Sequence, residues 1–187
     1  MSRASTDTLK FFDDPSVERF LELQQVVRES PAFDPYCREL LSIEGTVATS
    51  SPVVTLERLA CIAETHQTCP RFHYVSARVH EILGELEEMR ESVQRLQVCL
   101  KMIAETGDGD KESPFSVAFA TDQADVLQAF GEAKRYQQTV VSGNRQFDVV
   151  TAHSGHEFWF NATRKPNASG ESDAVGLVAE QPNAELF

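Results

Sequence analysis

Apolar positions along the first half of the chain recur at steps of three and four, the spacing that lines one face of a helix. Phe20, Leu23 and Val27 form one such stripe, and Tyr36, Cys37, Leu40 and Leu41 a shorter one. Val53, Leu56, Leu59 and Ala63 make a third; Phe72, Val75, Val79, Ile82 and Leu83 make a fourth, which Gly84 stops. Each is announced by a proline: Asp14-Pro15, Asp34-Pro35, Ser51-Pro52 and Cys69-Pro70. Proline in the first helical turn gives up no hydrogen bond, and an Asp or Ser before it caps free amides. The fifth stripe is the longest: Leu86, Met89, Val93, Leu96, Leu100 and Ile103 form an apolar seam that ends before Gly107. It predicts a central packing helix. Five helices with short connections imply antiparallel neighbours.

After Gly107 the period shortens. Phe115 to Ala120 reads as a strand, and Asp122 caps a short helix whose Val126, Leu127 and Phe130 face inward. Gln137 to Val141, Gln146 to Ala152 and Glu157 to Asn161 read as strands joined by Ser142-Gly143-Asn144 and Ser154-Gly155, which are hairpin signals. Two-residue turns would set Val140 opposite Phe147, Val149 opposite Phe160 and Thr151 opposite Phe158. One face would then carry Val140, Phe147, Val149, Phe158 and Phe160, and the other Asp148, Val150, Glu157, Trp159 and Asn161. The fold class expected is therefore α+β: a helical bundle followed by a small antiparallel β module. The expected boundaries are a flexible N-terminus (1–13), a helical region (14–106), a β-containing module (107–162) and a flexible tail (163–187). Lys, Pro, Asn, Ser, Gly and Glu dominate the tail.

Two resemblances attach to these residues. Leu83, Gly84, Glu85, Leu86, Glu87, Glu88 and Met89, followed by Val93 and Leu96, resemble the turn and second helix of a tetratricopeptide unit, a repeat of about 34 residues. The match departs from that pattern at Met89 and Leu96, where small residues are usual. The second half resembles an uncharacterised bacterial family, domain of unknown function 4919. The residues that carry this likeness are Gly107-Asp108-Gly109, Ser113-Pro114-Phe115, Phe119, Gln137-Gln138, Phe147 to Val150 and Phe158 to Asn161. The chain departs from it by inserting Asp110-Lys111-Glu112 and by lacking an export signal. This second resemblance implies tetratricopeptide-like helices before a short β module and says nothing of an activity.

Charge excludes some partners. Twenty-nine acidic against 17 basic residues give a net charge of −12, which repels nucleic-acid phosphates and anionic lipid. Neither a signal sequence nor a membrane span is read, so the expected location is the cytoplasm, where Cys37, Cys61, Cys69 and Cys99 stay reduced. Glu81, Glu85, Glu87, Glu88 and Glu91 form an acidic helix-turn surface that would select a basic protein partner.

Candidate chemistry is sparse. His153 and His156 flank the Ser154-Gly155 turn, with Asp148 and Glu157 near in sequence, but two imidazoles do not make a metal site. Cys69 and His73 could form a nucleophile and base, although nothing marks an oxyanion hole, and a capping cysteine is the plainer reading. Gly107 to Asp110 lacks the ligand ladder of a calcium loop. No catalytic residue, metal or cofactor is assigned. The expected function is a non-enzymatic protein-interaction or scaffolding module. The alternative is an enzyme or small-ligand domain with its site at the sheet–helix junction, for which Asp148, His153, His156 and Trp159 are the candidates.

Overall fold

The computed structural model describes residues 11–142 and 145–162. The N-terminal segment expected to be flexible is thus described only from Phe11, and the expected tail, 163–187, lies outside the described residues. Among the described residues, beside a helical turn at 11–13, six helices precede or interrupt four strands: α1 (Val17–Glu29), α2 (Arg38–Glu44), α3 (Pro52–His66), α4 (Pro70–Leu83), α5 (Leu86–Glu105), β1 (Phe115–Val117), α6 (Ala120–Ala129), β2 (Lys134–Ser142), β3 (Arg145–Ala152) and β4 (Glu157–Ala162). The chain is a mixed helix-and-strand fold.

The proline-marked starts hold for α3 and α4, which begin on Pro52 and Pro70. The first two start later than their prolines. Ser16 caps α1, its hydroxyl accepting the Arg19 N–H at 3.4 Å, while Asp14 pairs with the Arg19 guanidinium at 2.7 Å. Asp34 takes the N–H groups of Tyr36 and Arg38, so α2 begins only after Cys37.

The seam expected on α5 is only partly buried. Ser92, Cys99, Met102 and Ile103 are the buried residues, Met89, Val93, Leu96 and Leu100 are half-covered, and Leu86 is 55% exposed. The reason is close approach. Small Ser92 and Cys99 lie seven residues apart on the buried face, outside the stripe of large apolar residues. The helix still packs against α4, α1, α6 and β1, touching both halves of the chain.

The sheet runs β1-β4-β3-β2 and is mixed rather than antiparallel, because β1 pairs parallel with β4, Phe115 opposite Phe160. Helix α6 returns the chain so that β2 runs with β1, and two hairpins later β4 does too. Val140 opposes Phe147 as expected. Between β3 and β4 the register is shifted by one: Val149 opposes Trp159, and Val150 opposes Phe158. The connection is a three-residue loop, His153 to Gly155, with Gly155 at φ 90°, the conformation that closes a hairpin with one extra residue. A one-residue shift exchanges faces. Asp148, Val150, Ala152, Phe158 and Phe160 therefore face the helices, while Val140, Phe147, Val149 and Trp159 share the other side.

Two cores result, and each draws on both halves. Phe11, Phe20, Met102 and Ile103 pack under the sheet with Phe115, Val126, Leu127, Val150, Phe158 and Phe160. Leu40, Ile43, Leu59, Phe72, Val75 and Val79 form the helical core, into which Ala118 and Phe119 insert. The inward-facing Phe130 expected on α6 is instead 52% exposed, its ring covering Phe115 and Phe158 from the rim. On α5, Met102→Ala should cost about 2–5 kcal/mol, because a fully buried side chain leaves a cavity. Leu96→Ala should cost clearly less, and exposed Gln94→Ala should stay within about 0.5 kcal/mol of wild type. Urea unfolding of the three variants checks the order.

Candidate functional site

The residues proposed from sequence do not converge. Asp148 is buried on the inner face of the sheet, accepting from Gln123 Nε2 and Thr139 Oγ1 at 2.9 Å each. Gln137 donates to Gln123 at 2.9 Å, so the four side chains tie α6 to β2 and β3. Trp159 points to the opposite face, where Lys111 Nζ lies 5.8 Å from its ring centroid. His153 is exposed in the hairpin loop, and exposed His156 packs edge-on against Phe158. The Cys69–His73 pairing does not form. His73 Nε2 bonds the Gln67 carbonyl at 2.8 Å, and burial holds its pKa down to about 4.

A different cluster lies where α6 enters the helical half. Its backbone anchor is Ala120, whose N–H donates to the Pro35 carbonyl at 2.8 Å. Asp122 reaches back one turn, and its Oδ2 accepts the N–H groups of Phe119 (3.0 Å) and Ala118 (3.1 Å). Phe119 stacks on His66, centroids 5.0 Å apart, and leans on Phe33. Thr121 Oγ1 lies 3.6 Å from both Cys37 Sγ and Cys69 Sγ. Below it, the Arg71 guanidinium bonds Asp125 and, at 3.0 Å, Glu44.

Local sequence explains how two thiols meet. Both sit at the N-cap of a helix with a proline close by: Cys37 follows Asp34-Pro35 and caps the helix that starts at Arg38, and Cys69 precedes Pro70. Cys37 adopts φ 51°, the only non-glycine residue with positive φ among the described residues. Such a conformation costs on the order of 1–3 kcal/mol and persists only where neighbours impose it. Here the Asp34 turn on one side and α2 on the other fix it.

Electrostatics separates the two thiols. The Cys69 thiol, hydrogen-bonding beside it, draws the Cys37 pKa down to about 6; His66 and Thr121 add to this, and burial opposes it. Burial pushes the Cys69 thiol well up, and the Cys37 thiol beside it adds to this, so Cys37 is the more acidic of the two. Cys99 is also pushed up by burial, its Sγ resting on the Gln67 carbonyl at 3.7 Å, and Cys61 is exposed. Burial likewise raises Asp122 well above the usual carboxylate range, against the pull of the two N–H donors. Several buried polar atoms here have no partner among the described residues: Asp122 Oδ1, Asp125 Oδ2, His66 Nε2 and Thr68 Oγ1. Among the described residues no group of three or more His, Cys, Asp or Glu side chains is placed to hold a metal ion.

Sequence reasoning placed Cys37 in an apolar stripe and gave Asp122 only a capping role. The available signal was the pair of proline-marked helix starts, each carrying a cysteine, together with Thr121, Asp122 and Asp125 crowded onto a short apolar helix. The acidic surface on α4 and α5 is largely self-neutralised. Glu81, Glu87 and Glu91 pair with Arg78, Arg90 and Arg95, and Glu85 holds a hydrogen bond with His80 Nδ1 at 2.7 Å. No helix among the described residues is long and apolar enough to cross a membrane. Comparison of the chain with protein-family models, curated proteins and solved structures finds no match.

The ion triad yields a pH-dependent prediction. Burial raises the Asp125 carboxyl from 3.8 to about 6, outweighing the Arg71 charge. A raised folded-state pKa contributes stability that is whole below 3.8 and is lost as pH rises through about 6. Without Arg71 the carboxyl would rise further. Arg71→Met should therefore cost about 3–5 kcal/mol near pH 8, where a buried charge is left unpaired. Nearer pH 5, where Asp125 takes up a proton, the cost should be clearly smaller. Denaturant midpoints of wild type and variant across that range check the sign.

Proposed function

We propose that the chain is a non-enzymatic protein-interaction module, and that its contact element is the edge strand β2. One observation carries this reading. Eight of the nine residues of β2 pair with β3 along one side only, the register slipping at Arg135, and their other backbone edge meets no strand among the described residues. Edges of this kind are usually blunted by proline, a bulge, inward-pointing charge or a covering element, and past Arg135 the seven residues Tyr136–Ser142 run in unbroken register. Along β2 the only charges are Lys134 and Arg135 at its start, and Tyr136 and Val141 stand 58% and 72% exposed. An extended segment of a partner would add to this edge through main-chain bonds, with alternate side chains giving specificity.

Two further observations favour this over catalysis. The thiol and carboxylate cluster is closed to solvent, with Cys37 at 1% and Cys69 and Asp122 at 0% exposure, which leaves an ordinary substrate no path to it. The self-neutralised acidic surface also favours backbone pairing at β2 over a basic partner at α4 and α5. In this reading α4 and α5 form a tetratricopeptide-like pair that supports the sheet, and the protein works in the cytoplasm.

A photoreactive side chain placed at Val141 should give a discrete crosslinked adduct with another polypeptide in cells. The same group at exposed Glu57, on α3, should give none. Absence of any adduct at Val141, together with thermal stabilisation by a nucleotide or metabolite, would favour the small-ligand alternative.

A further inference from the structure

We propose that Cys37 and Cys69 are a reactive dithiol which hydrogen peroxide converts to an intramolecular disulfide, making the junction of α2, α4 and α6 a site of redox modification. The geometry comes first. Two sulfurs carried at the starts of different helices meet the same hydroxyl, Thr121 Oγ1, at 3.6 Å each. No disulfide is formed between them in the structure. The other two cysteines stand apart, Cys99 on the Gln67 carbonyl and Cys61 at the surface.

His66 stands beside the pair. Its Nδ1 lies 2.9 Å from Thr65 Oγ1 and 3.1 Å from the Ile62 carbonyl, its Nε2 is buried with no partner among the described residues, and the stack on Phe119 fixes the ring's plane. The ring helps hold the Cys37 pKa down, and Cys69 is the second thiol that can resolve the product.

The steps balance. Cys37 releases its proton to solvent on local opening, and the thiolate attacks one peroxide oxygen. The O–O bond breaks, and the departing hydroxide takes up a proton from solvent to leave as water. Cys37 is now a sulfenic acid. The Cys69 sulfur attacks it, the S–S bond forms, the S–O bond breaks, and hydroxide leaves with the Cys69 proton as a second water. Two thiols lose two electrons and one peroxide gains them. Burial selects the oxidant: peroxide is small enough to reach Cys37 through local opening, whereas a bulky disulfide reagent meets only Cys61. The new bond would tie the start of α2 to the start of α4 and remove both thiols from Thr121, which couples oxidation to the docking of α6.

The test uses the intact chain, freed of reductant, treated with hydrogen peroxide and then with an alkylating agent before peptide mapping. The expected product is a Cys37–Cys69 linked peptide that dithiothreitol reverses, present in a Cys61→Ser/Cys99→Ser variant and absent from Cys37→Ser. A link that involves Cys61, a link that forms only in urea, or Cys37 carried to an irreversible sulfinic acid with Cys69 still free would overturn the proposal. So would oxidation of Cys61 with both buried thiols untouched. The wild-type mapping decides the matter even if a cysteine variant fails to fold.

Discussion

Burial of the first turn of α6 inside the helical half is the constraint on which the rest of the structure depends. A helix start exposes free N–H groups, and burying them is costly unless each finds an acceptor. Here Pro35 supplies a carbonyl to Ala120, and Asp122 supplies a carboxylate oxygen to Ala118 and Phe119. The carboxylate is then itself buried, at 0% exposure, which raises its pKa. Phe119 fills the space between His66 and Phe33, Thr121 satisfies two thiols, and Asp125 meets Arg71. Few of these polar contacts tolerate the loss of a partner, since a half-satisfied buried network is worse than an apolar one.

The same turn explains why the helical and β regions do not behave as separate bodies. Arg28 of α1 donates to the Val117 carbonyl at 2.9 Å, and Gln24 accepts from Ser116 Oγ at 3.3 Å. Ser116 N–H in turn reaches Thr106 Oγ1, just beyond α5, at 2.8 Å. Strand β1 is only three residues long, yet it is bonded to β4 on one side and tied to α1 and the end of α5 through these polar bridges. Gly109 completes this seam. Its carbonyl accepts the Trp159 N–H at 2.8 Å, and its φ of 77° against the Phe115 ring leaves no room for a Cβ.

How much of this the sequence carried depends on whether the signal was local. Helix starts at Pro52 and Pro70 and the Val140–Phe147 register follow from nearest neighbours, and the structure reproduces them. The β3–β4 register turns on whether Ser154-Gly155 closes a two-residue or a three-residue loop, a choice that Gly155 makes through its backbone angle alone. The buried face of α5 was misread because Ser92 and Cys99, being small and not strongly apolar, mark where helices approach closely. Least legible was the thiol cluster. Its members come from residues 34–37, 66–71 and 119–125, and only tertiary packing brings them together. Phe11, within the expected flexible N-terminus (1–13), is instead fully buried against Phe20, for the same reason.

If α6 welds the two regions, they must unfold together. The chain has one tryptophan, Trp159, which sits on β4 and reports on the sheet, while far-ultraviolet circular dichroism reports mainly on the helices. Urea unfolding followed by both signals should give coincident transitions in wild type, and Phe119→Ala should shift both to lower urea by the same amount. A sheet transition separated from the helical one in wild type, or a Phe119→Ala variant that moves only one of them, would contradict the account.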